Sequence, residues 1–115
     1  MMAKSKFVSI NGDSRQFAID DNIKRYPLID AGFKQTKNGN FSYDRPLYND
    51  SPYNATMRLK ITISKDMTQL TMVITDKNGL QKVNLFKNEQ LSAAKELLEF
   101  ILKDLVEAHI ITEDK

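Results

Sequence analysis

The sequence predicts an α+β fold in which two antiparallel β-sheets pack against one long C-terminal helix, with a short helical turn near residues 21–31. Three observations predict it: runs of alternating apolar and polar residues, Asn-Gly turn signals between several of them, and helical periodicity after residue 88. No linker, repeat or low-complexity tract divides the chain. We therefore predict a single domain over residues 1–115.

The first elements are a hairpin and the helical turn. Residues 7–10 and 15–19 flank Asn11-Gly12-Asp13 and are predicted to pair, because Asn and Gly tolerate the positive φ of tight turns. Asp20 or Asp21 is a candidate cap for the helical turn that follows. The predicted buried side of this turn consists of Leu28, Ile29 and Ala31.

The sequence of the middle of the chain predicts a hairpin followed by a three-stranded meander. Asn38-Gly39 lies between two β-prone runs, residues 33–36 and 41–45. The clearest strand spans residues 57–64, where alternation predicts one buried side and one side facing water. The same alternation recurs in residues 70–74 and 83–85. These last three strands are predicted to form the meander.

The long helix is predicted from about Asn88, a candidate N-cap. Its apolar residues recur every three or four positions, at Leu91, Ala94, Leu98, Ile101, Leu105 and Ala108. Ile110 and Ile111 follow it and are predicted to add a closing strand or to pack under the sheet. A helix about 10–12 Å wide covers two or three strands spaced about 4.8 Å apart. We therefore expect two sheets around the helix, with a homodimer as the alternative cover.

Composition excludes several kinds of chemistry. The chain has no Cys and one His, so thiolate catalysis, iron-sulfur ligation and two-His zinc motifs are excluded. We predict no catalytic residue, no metal site and no cofactor. His109 is interpreted as a partner for the dipole at the helix C-terminus.

Charge and hydropathy restrict the partners and the location. The 17 basic and 15 acidic residues give a net charge of +2 and form no long block of one sign, which argues against a dedicated nucleic-acid binder. No apolar run reaches the ~20 residues that a membrane span needs, and no signal-peptide stretch follows the N-terminus. We therefore predict a cytoplasmic protein without a membrane partner.

The candidate binding residues lie around a Pro-bracketed loop between two predicted strands. They are Tyr43, Arg45, Tyr48, Tyr53, Arg58 and Lys60. Aromatic rings and guanidinium groups together can stack on a base or bind a carboxylate or phosphate. The alternative is that the tyrosines only cover a sheet edge.

Several motifs resemble a small domain-of-unknown-function family of lactic-acid bacteria. They are Ser51-Pro52-Tyr53 followed by Leu59-Lys60-Ile61, Asp30-Ala31-Gly32-Phe33, residues 37–41, residues 78–87 and the terminal amphipathic helix. The resemblance implies two sheets against one helix, a remote similarity to the fold of S-adenosylmethionine decarboxylases and a role in amino-acid metabolism. It supplies no active-site residue.

The decarboxylase likeness concerns architecture and not chemistry. Those enzymes form a pyruvoyl group by cleavage before a Ser, and Glu is the residue expected before that Ser. None of the seven serines of this chain follows a Glu. Fold likeness alone does not transfer such a site.

The sequence therefore favours a non-catalytic accessory or small-molecule-binding protein in amino-acid metabolism, with sulfur transfer as one branch. The expected partner is a pyridoxal-phosphate enzyme such as a cysteine desulfurase or an aminotransferase. The alternative is a nucleic-acid-binding module that uses the Tyr and Arg surface, although nucleic acid is the less favoured partner. A third hypothesis is an enzyme whose chemistry comes from a bound cofactor or from residues of a partner.

Overall fold

The computed structural model describes residues 7–10, 12–47, 57–76, 78–85 and 92–114, and it confirms the α+β fold. Its elements in chain order are β1 (Gln16–Ile19), α1 (Arg25–Ala31), β2 (Lys34–Gln35), β3 (Phe41–Leu47), β4 (Met57–Ile63), β5 (Leu70–Asp76), α2 (Ser92–Glu107) and β6 (Ile111–Asp114). One antiparallel sheet has the order β2-β3-β4-β5, and β1 pairs with β6 in a second.

The four-stranded sheet has one face in the core and one face turned outward. Alternation along β4 buries Met57, Leu59, Ile61 and Ile63. Between them, Arg58 and Lys60 point to the outer face, which also carries the exposed Thr62. The predicted hairpin of residues 33–36 and 41–45 is confirmed as the β2–β3 pair, and β4 pairs with β5 as predicted.

The third strand of the predicted meander is the first departure from the sequence-based expectation. In place of a strand over residues 83–85, the chain makes one isolated bridge between Thr75 and Lys82. The amide of Val83 donates to the carbonyl of Ile74 at 2.8 Å beside this bridge. The turn before it curls over the outer face, so that a Cβ on Gly79 would lie 2.8 Å from Nζ of Lys60.

The first predicted hairpin forms only in part. Val8 and Phe17 exchange two backbone hydrogen bonds of 2.7 Å, but the main partner of β1 is β6 at the other end of the chain. Ile110 is fully buried and Ile111 begins β6, so the two alternatives proposed for this segment are both realised.

The short helix α1 differs from the prediction in its cap and its buried side. It begins after Lys24, whose side chain makes no capping hydrogen bond, so neither Asp20 nor Asp21 is the cap. Instead, Oδ1 of Asp20 accepts a hydrogen bond from the amide of Asn22 in the preceding turn. Leu28 is buried as predicted, whereas Ile29 is 46% exposed because its side chain faces away from the core.

The long helix α2 contributes a buried stripe, as its periodicity predicted. Of that stripe, Ala94, Leu98, Ile101 and Leu105 are buried, whereas Ala108 is partly buried and lies beyond the last residue of the helix. The predicted cap Asn88 and the first stripe residue Leu91 lie outside the described residues. Two residues after the end of the helix lies His109, which has a left-handed φ of 61°, and its Nδ1 lies 3.6 Å from Oδ2 of Asp20.

Both sheets and both helices contribute to one hydrophobic cluster. It includes Phe17 of β1, Leu28 of α1, Ile61 of β4, Leu98 of α2 and Ile111 of β6. Burial of such residues is the main favourable contribution to folding. In the described part of the chain, no helix is both long enough and apolar enough to cross a membrane. The cytoplasmic location, the single domain and the homodimer stay predictions.

Candidate functional site

The sheet separates the predicted binding residues into two groups. Directly paired residues of antiparallel strands point to the same face, and Tyr43 pairs with Ile61 while Arg45 pairs with Leu59. Since both partners are buried, Tyr43 and Arg45 lie on the side of the sheet that faces the core. Arg58 and Lys60 lie on the opposite, outer face. Tyr48 and Tyr53 are outside the described residues.

On the outer face, Arg58 already has an acidic partner. Its Nε donates to Oδ1 of Asp44 at 2.8 Å, across the pair of strands β3 and β4. Lys60 is half-buried beneath the turn that carries Gly79. The four described candidates therefore do not form one surface, and whether any of them binds a ligand stays a prediction.

A cleft of about 220 Å³ lies between α1, β3 and α2 and contains the first group. Its lining consists of Asp30, Ala31, Tyr43, Arg45, Ile101, Asp104 and Leu105. The cleft thus combines one guanidinium and two carboxylates with apolar and aromatic walls. Small-molecule sites usually combine apolar walls with a few placed polar groups, and here three of the seven lining residues are charged.

The floor of the cleft is held by aromatic packing and by the end of α1. The ring of Tyr43 is 6% exposed and stacks on Phe33, with ring centroids 5.0 Å apart. It also covers Gly32, where an added Cβ would lie 3.4 Å from the ring. Gly32 ends α1 with a φ of 111° and donates to the carbonyl of Ile29, so the last turn of α1 is fixed beside β3.

Arg45 is exposed at the mouth of this cleft. Among the described residues, its side chain forms no hydrogen bond or ion pair, although Asp30 and Asp104 line the same cleft. Other arginines of the chain are engaged: Arg15 binds Asp13 and Glu99, and Arg58 binds Asp44. A guanidinium presents five donors in a planar fork that fits a carboxylate or phosphate. Arg45 is therefore available to bind such a group.

The two aspartates of the cleft lie where helix stability disfavours them. Asp30 is in the last turn of α1 and Asp104 is in the last turn of α2, and neither last turn carries a basic residue. The C-terminal end of a helix carries partial negative charge, so a carboxylate there is unfavourable by a few tenths of a kcal/mol or more. Local helix stability therefore does not account for either residue, and both of them line the cleft.

Two other clefts are larger but offer less for a small polar ligand. One of about 260 Å³ is lined by Arg15, whose guanidinium is already bonded to Asp13 and Glu99. The other, of about 320 Å³, is lined by Asp20 and Asp21 together with Phe7, and none of the described residues that line it is basic. In the described part of the chain, no group of three His, Asp or Glu side chains is arranged to hold a metal ion.

The sequence identified only part of this cleft. Tyr43 and Arg45 were singled out by residue type, whereas Asp30, Asp104, Ile101 and Leu105 were assigned to helix faces. The signal that could have identified the aspartates is their position: each is an acidic residue in the last turn of a helix, which the helix dipole disfavours.

Comparisons with known proteins give a consistent result. The sequence matches the DUF1831 family, whose description is "Putative amino acid metabolism", over residues 2–112. The fold is similar to the crystal structure of a DUF1831 family protein from Lactobacillus plantarum, with a TM-score of 0.87 and 37% sequence identity. That similarity covers 99% of this chain and 100% of the other. Among curated proteins, none matches the chain with significance.

Proposed function

Because the chain belongs to the DUF1831 family, which is described by amino-acid metabolism, we propose that the cleft between α1, β3 and α2 binds a free amino acid. In this proposal the protein is a non-catalytic binding or accessory protein. Arg45 binds the α-carboxylate, and a carboxylate of Asp30 or Asp104 binds the α-ammonium group. Ile101, Leu105 and Tyr43 contact the ligand side chain.

The observation that carries the proposal is the guanidinium of Arg45, which has no hydrogen-bond or ion-pair partner among the described residues, in a cleft that also contains two carboxylates. A zwitterion needs donors at one end and acceptors at the other, a few ångströms apart. A cleft of about 220 Å³ is small among ligand sites and suits a single amino acid better than a nucleotide.

The pyridoxal-phosphate enzyme expected as a partner is compatible with this proposal, because such enzymes act on free amino acids. It remains a separate hypothesis. No observation among the described residues supports the nucleic-acid alternative. Tyr43 is only 6% exposed, and Arg58 is paired with Asp44. A base needs an accessible ring on which to stack.

The proposal is tested by calorimetric titration of the purified protein with each of the common amino acids. We expect at least one to bind, and we expect Arg45→Gln to weaken its binding about 10- to 100-fold, the usual effect of losing a charged hydrogen bond. Asp30→Asn or Asp104→Asn should weaken it by a similar factor. Each Asp variant should be as stable as the parent or more so, since each removes a charge that the helix dipole disfavours.

Matched controls come from charged residues away from the cleft. Arg25→Gln changes an exposed guanidinium of α1 that donates to Gln35, and Glu107→Gln changes another carboxylate in the last turn of α2. Both should leave the affinity unchanged. Absence of binding for every amino acid would contradict the proposal. Binding that is lost in Arg58→Gln but kept in Arg45→Gln would place the site on the outer face and contradict it equally.

A further inference from the structure

The charges of the cleft do not balance for a neutral zwitterion. Arg45 supplies one positive charge, whereas Asp30 and Asp104 supply two negative charges. After Arg45 binds an α-carboxylate and one aspartate binds an α-ammonium group, one carboxylate is left without a partner. Asp30 and Asp104 are both exposed, and two like charges that line one cleft repel each other and attract a cation. A ligand with a second cationic group would remove this imbalance.

The ends of the helices favour a cation at the same place. The last turns of α1 and α2 both border the cleft, through Asp30 and Ala31 on one side and Asp104 and Leu105 on the other. In α2, which has 16 residues, the C-terminal turn carries no basic side chain to offset the negative end of the dipole. Cations are stabilised at this end of a helix, and anions are not. Backbone and side chains therefore favour a ligand of net positive charge.

The apolar walls suit the stem of such a ligand. Ile101 and Leu105 are nearly fully buried core residues of α2 that also line the cleft, and Ala31 lies opposite on α1. Long cationic side chains bury their methylene groups against apolar surface while the charged end reaches a polar partner. A cleft with charged groups and an apolar wall between two helices offers both surfaces at once.

We infer that the ligand is a basic amino acid, with its α-carboxylate on Arg45 and its two cationic groups on Asp30 and Asp104, one on each. This inference rests on the proposed function and specifies its substrate class. It predicts that affinity depends on the side-chain cation as well as on the α-amino acid head group.

The test compares three probes that share one carbon chain, by calorimetric titration of the full-length protein. L-lysine carries all three charged groups, L-norleucine lacks only the side-chain ammonium group, and cadaverine lacks only the carboxylate. We expect lysine to bind at least about 10-fold more tightly than norleucine and than cadaverine, since each comparison removes one charged contact. L-ornithine and L-arginine should bind within about 10-fold of lysine.

Variants assign the contacts. Arg45→Gln should reduce the affinity for lysine to that for cadaverine and should leave cadaverine unaffected. One of the two variants Asp30→Asn and Asp104→Asn should abolish the preference for lysine over norleucine while norleucine still binds as before. Glu107→Gln is the control, because it removes a carboxylate of the same helix turn that does not line this cleft.

The outcomes separate this inference from the proposed function. Equal affinity for lysine and norleucine would overturn the preference for basic amino acids while leaving amino-acid binding intact. Equal affinity for lysine and cadaverine would mean that the site takes a diamine, which overturns both. Binding of neither lysine nor any other amino acid would also overturn both.

Discussion

His109 ends α2 in a backbone conformation that is unusual for a residue with a side chain. Its φ of 61° is left-handed, its amide donates to the carbonyl of Val106, and the amide of Ile110 donates to Leu105. This is the Schellman pattern, which most often has Gly at this position. At the end of α1, Gly32 occupies the corresponding position and the same pattern occurs. The amide of Gly32 donates to the carbonyl of Ile29, and the amide of Phe33 donates to the carbonyl of Leu28.

The comparison of the two helix ends gives a prediction. His109→Gly should raise the free energy of unfolding by up to about 1 kcal/mol, because relief of left-handed strain exceeds the added freedom of the unfolded chain. Gly32→Ala should lower it by about 1 kcal/mol or more, since the φ of 111° at this position is strained for any residue with a Cβ. Urea denaturation measures both.

Asp20→Asn is the control for His109→Gly, because it removes the 3.6 Å contact between imidazole and carboxylate without changing the backbone. If His109→Gly and Asp20→Asn lower the free energy of unfolding equally, the contact between His109 and Asp20 stabilises the fold by more than the left-handed φ destabilises it, and the prediction is wrong. The sequence placed His109 near the helix end correctly, but its left-handed φ could not be anticipated, since His adopts this conformation more often than most residues without requiring it.

At the scale of elements, Arg15 joins the start of β1 to α2. Its Nη1 and Nη2 donate to the two oxygens of Glu99 at 2.6 and 2.7 Å, and its Nε donates to Asp13. Hydrogen bonding to Glu99, and then to Asp13, raises the pKa of Arg15 above its ordinary value. The guanidinium is thus charged at every accessible pH, and its fork holds a turn and a helix that are 84 residues apart in sequence.

We expect Arg15→Lys to weaken this joint although it keeps the charge, because an ammonium group cannot bind both carboxylates in the same planar geometry. The loss of stability should be modest, about 0.5–1 kcal/mol, since Glu99 is 50% exposed and water screens the pair. Hydrogen exchange at the amide of Phe17 should become faster. Arg25→Lys, which alters an exposed hydrogen bond to Gln35, is the control. Unchanged exchange in Arg15→Lys would show that charge alone suffices.

The sequence predicted elements well where periodicity is local. β4, β5 and α2 each repeat their pattern over at least seven residues, and the Asn-Gly signal identified the turn between β2 and β3. The pairing of β1 with β6 was not predicted, because it joins the two ends of the chain and no local signal encodes it. The cleft was missed in part for the same reason: Asp30 and Asp104 lie on different helices, and only tertiary packing brings them to Arg45.

At the scale of the whole molecule, the two sheets share one hydrophobic core. β1 and β6 make a two-stranded ribbon, which by itself is only marginally stable in water. Their side chains Phe17, Ile19 and Ile111 join the cluster that α2 forms with the four-stranded sheet. The ribbon therefore depends on the rest of the core, and its strands should not persist once α2 has separated.

This dependence predicts a single cooperative transition, in agreement with one domain over residues 1–115. Leu98, fully buried at the centre of the α2 stripe, contributes to that core. Leu98→Ala should lower the free energy of unfolding by about 2–5 kcal/mol, through lost burial and the remaining cavity. Leu80→Ala, at a side chain that is 81% exposed, should change it by less than about 0.5 kcal/mol.

Urea unfolding of Leu98→Ala should be followed by far-UV circular dichroism and by amide resonances of β1 and β4. A shared core requires the three midpoints to shift together, because loss of the helix removes the cover of both sheets. Resonances of β1 that disappear at lower urea than those of β4 would reveal two cooperative units. The ribbon would then be a separately folding part, and the single-domain prediction would be wrong.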